Sequence, residues 1–141
     1  MPDTETIARN YFEMLINVHD LDYIPTLFDP DIQFHDPAII PGGMTVGHAG
    51  VHDFFSRFFQ AFPDVHFAID DLFTQDDKAA IRFTWTGTHR FLFLGIDVTD
   101  RHVTVPGIDV FHMAGGRIAE VRVAFDRAEL AEQLAGIKNP I

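Results

Sequence analysis

Apolar residues recur at helical spacing at the start of this chain. Ile7, Ala8, Tyr11, Phe12, Leu15 and Val18 share one stripe behind a capping Asp3 or Thr4. Leu21 to Phe28 reads as a second, short helix stopped by Asp29-Pro30, and Ile32 to Pro37 as a short strand entering the loop Pro41-Gly42-Gly43. A stronger helix follows, with Val51, Phe54, Phe55, Phe58 and Phe62 on one face and Pro63-Asp64 as its end. The period then changes from helical to alternating. Val65, Phe67 and Ile69 form one strand, and Ala79, Ile81, Phe83 and Trp85 the next, across a turn at Gln75-Asp76-Asp77-Lys78. Val103 to Met113 and Ile118 to Phe125 are two more strands joined at Gly115-Gly116, and Arg127 to about Gly136 closes the chain as a helix. Helices, one short strand, a helix, an antiparallel meander and a last helix predict an α+β fold, with helices packed on a curved sheet.

Composition narrows the possible functions. The chain has 141 residues, 47% of them hydrophobic and 15 of them phenylalanine, enough for one domain with a real core. Its net charge of -11 would repel a phosphate backbone or an anionic lipid surface, so neither nucleic acid nor membrane is an expected partner. There is no cysteine, which excludes disulfides and thiolate metal sites. Met1 to Glu5 is acidic with no apolar stretch behind it, and no run approaches a membrane span of roughly 20 residues, so a cytoplasmic protein is expected.

Several segments, in order, resemble one family. They are His35-Asp36-Pro37, Phe58 to Asp64, Thr86-Gly87-Thr88-His89, Gly95-Ile96, Arg101, Val105 to Phe111, Gly116 to Glu120, and Asp126 with Leu130 and Gln133-Leu134. The set resembles the SnoaL-like polyketide cyclases of the NTF2-like superfamily and spans nearly the whole chain. The resemblance implies a single domain over 1–141: a cone of curved antiparallel sheet with helices on its concave face, paired as a homodimer through the outer face. It also implies chemistry without a cofactor. Departures fall at Arg122, where the family commonly has Trp, at Phe91, where it has Gly, and at Asp97 to Asp100, where it has Pro-Pro-Thr-Gly.

Asp126 matches the family's catalytic aspartate. In an apolar cone its pKa would be raised towards neutrality, as a base needs. Yet Asp126-Arg127-Ala128-Glu129 also reads as a capping box, which would hold the carboxylate ionised. His112 and His89 are the candidate proton partners. The Gly115-Gly116 hairpin pairs His112 with Glu120 rather than with Asp126. His89 shares strand parity with Ile81, Phe83 and Trp85 and needs a buried partner, Asp126 or His35. His35, Trp85, Phe58 and Arg122 are candidate substrate contacts, although His35 also reads as half of a turn-initiating pair with Asp36, and Arg122 as an ion-pair partner of Glu120. His48 and His52 stand at the i, i+4 spacing of zinc ligands, but with no intervening glutamate and no third ligand, so no metal is expected.

The expected activity is cofactor-independent proton abstraction alpha to a carbonyl, followed by intramolecular aldol ring closure of an apolar or aromatic substrate. An isomerase or epoxide hydrolase of the same fold is one alternative, and a non-catalytic small-ligand-binding module is the other.

Overall fold

The computed structural model describes residues 3–136; Met1, Pro2 and residues 137–141 of the expected domain lie outside them. Helix α1 (Thr4–Asn10) is capped by the Asp3 side chain, which accepts the Thr6 N–H at 2.8 Å. It runs directly into a π-helical segment, Tyr11–Ile16. The wider turn brings Tyr11, Phe12, Leu15 and Ile16 all into the core, four of six residues where an α-helix would bury a narrower stripe. A 3-10 turn (Leu21–Tyr23) and α2 (Ile24–Leu27) form the predicted second helix.

The strands are β1 (Phe28–His35), β2 (Met44–Val46), β3 (His66–Gln75), β4 (Lys78–Thr88), β5 (His102–Ala114) and β6 (Arg117–Phe125), with α3 (Gly47–Ala61) between β2 and β3 and α4 (Arg127–Ala135) at the end. They form one curved, open sheet in the order β2-β1-β6-β5-β4-β3. The α+β cone is therefore as expected, with one refinement: β1 runs parallel to β6, so the sheet is mixed rather than wholly antiparallel. β1 also begins earlier than its pattern indicated, running through Asp29-Pro30. Its pairing with β6 is irregular between Phe28 and Gln33, so Pro30 breaks no regular ladder there. No helix among the described residues is long and apolar enough to cross a membrane.

Alternation decides which side chains enter the cone. On β5, Val103, Val105, Asp109, Phe111 and Met113 are buried, while Ile108 and Val110 are exposed on the outer face. Together with exposed Phe73 these are apolar positions of the kind on which the homodimer expectation rests. On β6 the phase slips once. His112 pairs with Glu120 but Met113 pairs with Ile118, leaving Ala119 as a bulge. Ile118 is consequently buried, whereas unbroken alternation along β6 would set it on the outward face of Arg122 and Ala124. Gly107 is required by its surroundings: a Cβ there would lie 2.5 Å from the Phe83 ring and 3.0 Å from the Ala124 carbonyl oxygen.

Candidate active site

Three polar side chains point into the cone among phenylalanines. Tyr11 comes from the first turn of the π-helical segment, Asp109 from the inward series of β5, and Asp36 from just beyond the end of β1, where Phe34 also points inward. They line one small chamber of about 30 Å³ with Phe34, Phe55, Phe67, Phe83 and Trp85 among its walls. The Asp36 backbone is held firmly. Its N–H donates to the Gly43 carbonyl at 3.0 Å, and its own carbonyl accepts from Ile39 and Ile40 at 3.1 and 2.8 Å.

Electrostatics in this chamber are unusual for carboxyl groups. Both are almost fully buried, and Asp36 Oδ1 and both Asp109 carboxyl oxygens have no hydrogen-bond partner among the described residues. Burial pushes the Asp36 carboxyl up to about 7, against a partial downward pull from the Ile39 and Ala38 N–H groups. Asp109 is held well above the ordinary carboxylate range, first by burial and then by the charge of Asp36. Tyr11 is likewise raised, by burial and by the two carboxylates. Near neutral pH the chamber thus presents one carboxyl poised between its two forms, beside a second carboxyl and a phenol whose burial favours their protonated, O–H-donating forms.

A larger vestibule of about 510 Å³ adjoins the chamber, and Ile39, Phe54 and Phe58 line both. Its other walls are Ile40 and Pro41 from the loop after β1 and Leu92 to Gly95 from the β4–β5 connection, with Thr45, Asp53 and Arg57 as its polar members. In the connection, Phe93 and Ile96 bond each other at 3.0 and 2.8 Å around Leu94 and Gly95, both at positive φ. This tight turn fixes the rim.

The site foreseen at the β6–α4 junction is not assembled. Asp126 is the exposed N-cap of α4; its Oδ1 accepts the Glu129 N–H at 3.1 Å, and it does not line the chamber. His112 stands at the far end of the hairpin, paired with Glu120, and its Nε2 lies 2.9 Å from the Asp77 carboxylate. Outward parity on β5 and six residues of strand separate it from Asp126. His89 is fully buried as its parity indicated, but its partner is the Thr99 hydroxyl at 3.0 Å rather than Asp126 or His35, and it does not line the chamber. Its Nε2 has no hydrogen-bond partner among the described residues, and burial holds the imidazole below its ordinary pKa.

Of the expected substrate contacts, Trp85 and Phe58 line the chamber. His35 and Arg122 instead share a groove on the outer side, where Arg122 pairs with Glu120 at 3.2 Å and His35 Nε2 lies 3.9 Å from the same carboxylate. His48 Nε2 meets the Phe28 carbonyl oxygen at 2.8 Å. Among the described residues, no group of three or more His, Asp or Glu is placed to hold a metal. Tyr11, Asp36 and Asp109 escaped the sequence argument as a set. Each is a lone polar residue on an apolar phase, and that is the one signal that would have found them.

Comparison with known proteins bears on the whole chain. The family model for SnoaL-like polyketide cyclase matches residues 5–134. No curated protein matches the chain by sequence. Among solved structures, TsrD from Streptomyces laurentii superposes with a TM-score of 0.83 at 24% identity, covering 97% of this chain and 100% of that one. A candidate SnoaL-like polyketide cyclase from Jannaschia gives 0.84 at 19% identity over 96% and 93% of the two chains. A SnoaL-like polyketide cyclase from Agrobacterium tumefaciens gives 0.79 at 21% identity over 95% and 99%. At these identities the structural likeness speaks for a common fold.

Proposed function

We propose that this chain, which belongs to the SnoaL-like polyketide cyclase family, enolises a carbonyl substrate in the Tyr11–Asp36–Asp109 chamber. The observation that carries the reading is the pair of buried carboxyls, one near pKa 7 and one raised well above the ordinary carboxylate range, beside a buried tyrosine. A base of pKa near the working pH combines a useful ionised fraction with real proton affinity. Asp36 as carboxylate takes a proton from the carbon next to the carbonyl, the C–H electron pair becomes a carbon–carbon π bond, and the carbonyl π pair moves onto oxygen. The resulting enolate oxygen accepts hydrogen bonds from the Tyr11 phenol and the protonated Asp109. Ketosteroid isomerisation divides the labour in the same way: a carboxylate base, and a neutral carboxylic acid with a tyrosine as donors.

Ring closure follows when the enolate carbon attacks a second carbonyl of the same molecule, forming a carbon–carbon bond. The new alkoxide then takes the proton from Asp36. The chamber's size favours a second reading, isomerisation, because about 30 Å³ admits one small group and isomerisation needs only one carbonyl there. In that case Asp36 returns the proton to a different carbon of the same enolate.

Both readings share the first step, and deuterium uptake tests it without knowledge of the natural substrate. The wild-type protein in D2O is expected to speed exchange at the α-carbon of α-tetralone, followed by NMR, with a rate that rises as pH passes through about 7. An exchange rate equal to the protein-free background across a panel of aryl ketones would remove the proposal.

A further inference from the structure

The two cavities differ in volume by more than tenfold, and the same three side chains stand in the walls of both. The chamber, at about 30 Å³, has room for a carbonyl and little else, whereas the vestibule, at about 510 Å³, has the size of an ordinary ligand pocket. Ile39, from a loop whose backbone is pinned to Asp36, and Phe54 and Phe58, one turn apart on α3, form the neck between them. Phe58 is locked edge-on against Trp85 and Phe93, at 5.2 and 5.9 Å between ring centroids, and Phe54 leans on Phe34 at 5.0 Å. Rings held on several sides cannot swing away cheaply.

We propose that this neck selects the substrate: an apolar ring system that remains in the vestibule and presents, at its edge, a carbonyl flanked by an unbranched CH2. A substituent on that carbon would have to pass, or remain within, the ring of Ile39, Phe54 and Phe58. The vestibule walls suit the ring system, since they are mainly aliphatic and aromatic and their polar members sit on the outer turns of α3 and on β2. The proposal rests on enolisation as the reaction, but its prediction concerns which ketones reach the base.

The test compares α-tetralone with its derivative carrying a methyl group on the reacting α-carbon, which keeps one exchangeable hydrogen. Wild type and Phe54→Ala are measured by deuterium uptake, each rate divided by that ketone's protein-free rate. Wild type is expected to prefer the unbranched ketone by about tenfold or more, the discrimination one methyl group commands in a fitted apolar pocket. Phe54→Ala is expected to reduce the preference to about threefold or less, mainly by accepting the branched ketone. Ile39→Ala, at a partly buried loop position, is the second variant should Phe54→Ala fail to fold.

Binding is read separately, through the fluorescence of Trp85, the only tryptophan and a chamber wall. Equal binding and equal exchange of the two ketones by wild type would overturn the neck. So would an unchanged preference in both variants. If neither ketone exchanges above background yet the unbranched one binds preferentially and the variants erase that preference, the neck stands and enolisation falls.

Discussion

Asp36 and Asp126 each directly follow the last residue of a strand, and their strands, β1 and β6, are parallel neighbours in the sheet. The two aspartates nevertheless became different chemical groups. Asp36 continues the inward phase of Phe34 into a chamber walled mainly by aromatic and aliphatic side chains, so its carboxyl rises to about 7. Asp126 continues the outward phase of Ala124 into solvent and spends a carboxylate oxygen on the Glu129 N–H of α4. Residue type and place relative to the strand are the same; parity and the following segment decide. A carboxylate that satisfies a helix end has little basicity left for a substrate, while one left unsatisfied in an apolar chamber carries it at a cost in folding stability.

That contrast breaks most sharply at Asp36. Replacement by Asn is expected to lower turnover by about 10² to 10⁴, measured as the rate of α-proton exchange. Stability should move the other way. The folded-state pKa lies above the unfolded value, so between pH 4 and 7 the folded protein holds a proton that the unfolded chain releases. Stability therefore falls as pH rises through this window and stays lower above it, by up to about 4 kcal/mol for a shift from 3.8 to about 7. Asp36→Asn removes the titration, and chemical denaturation at pH 8 should find it more stable than wild type by on the order of 2 kcal/mol. A less stable and fully active Asp36→Asn protein would make Asp36 a structural residue like Asp126.

Asp109 sharpens the comparison next. As a neutral donor it should be needed for rate but not as a base. Asp109→Ala is expected to cost about 10² to 10³ in kcat. Asp109→Asn retains an N–H donor and should recover part of that loss. The rise of rate through pH 7 should persist in both, because it belongs to Asp36. A rise abolished or displaced to another pH in Asp109→Asn would assign the base to Asp109 instead.

The smallest effect belongs to Asp126. Asn caps a helix about as well as Asp, so Asp126→Asn should change stability by less than about 1 kcal/mol and leave exchange activity unaltered. A hundredfold loss of activity in this protein would return catalysis to the β6–α4 junction.

The elements of this fold were legible because each carries a clean period: three or four on the helices, two on β3 to β6. Met44–Val46 was missed because three residues, only Thr45 of them partly buried, give no alternation to read. The inward place of Ile118 is not legible in the alternation of β6, because a bulge changes the count without changing the composition. The chamber was harder to find, because its three members lie 25 and 73 residues apart along the chain (Tyr11 to Asp36, Asp36 to Asp109) and belong to no shared motif. Trp85 and Phe58 were legible as lining, since aromatic bulk on the inward phase is its own signal. His35 was not, since the sequence leaves open on which side of the sheet a strand-end residue lies.

The bulge at Ala119 has a genetic side as well. Beyond it, Val121, Val123 and Phe125 face inward and Arg122 and Ala124 outward, because the bulge absorbs the one residue that would otherwise shift their register against β5. Descendants of this gene can exchange one wall residue for another by point mutation and sample new pocket shapes gradually. Loss of the Ala119 codon would leave that wall in place, because it removes the one residue that β5 does not pair, whereas loss of the Val121 codon would transpose it, setting a guanidinium towards the buried acids and a phenylalanine towards water. Length changes in this strand are therefore open to inheritance at the bulge and closed beyond it.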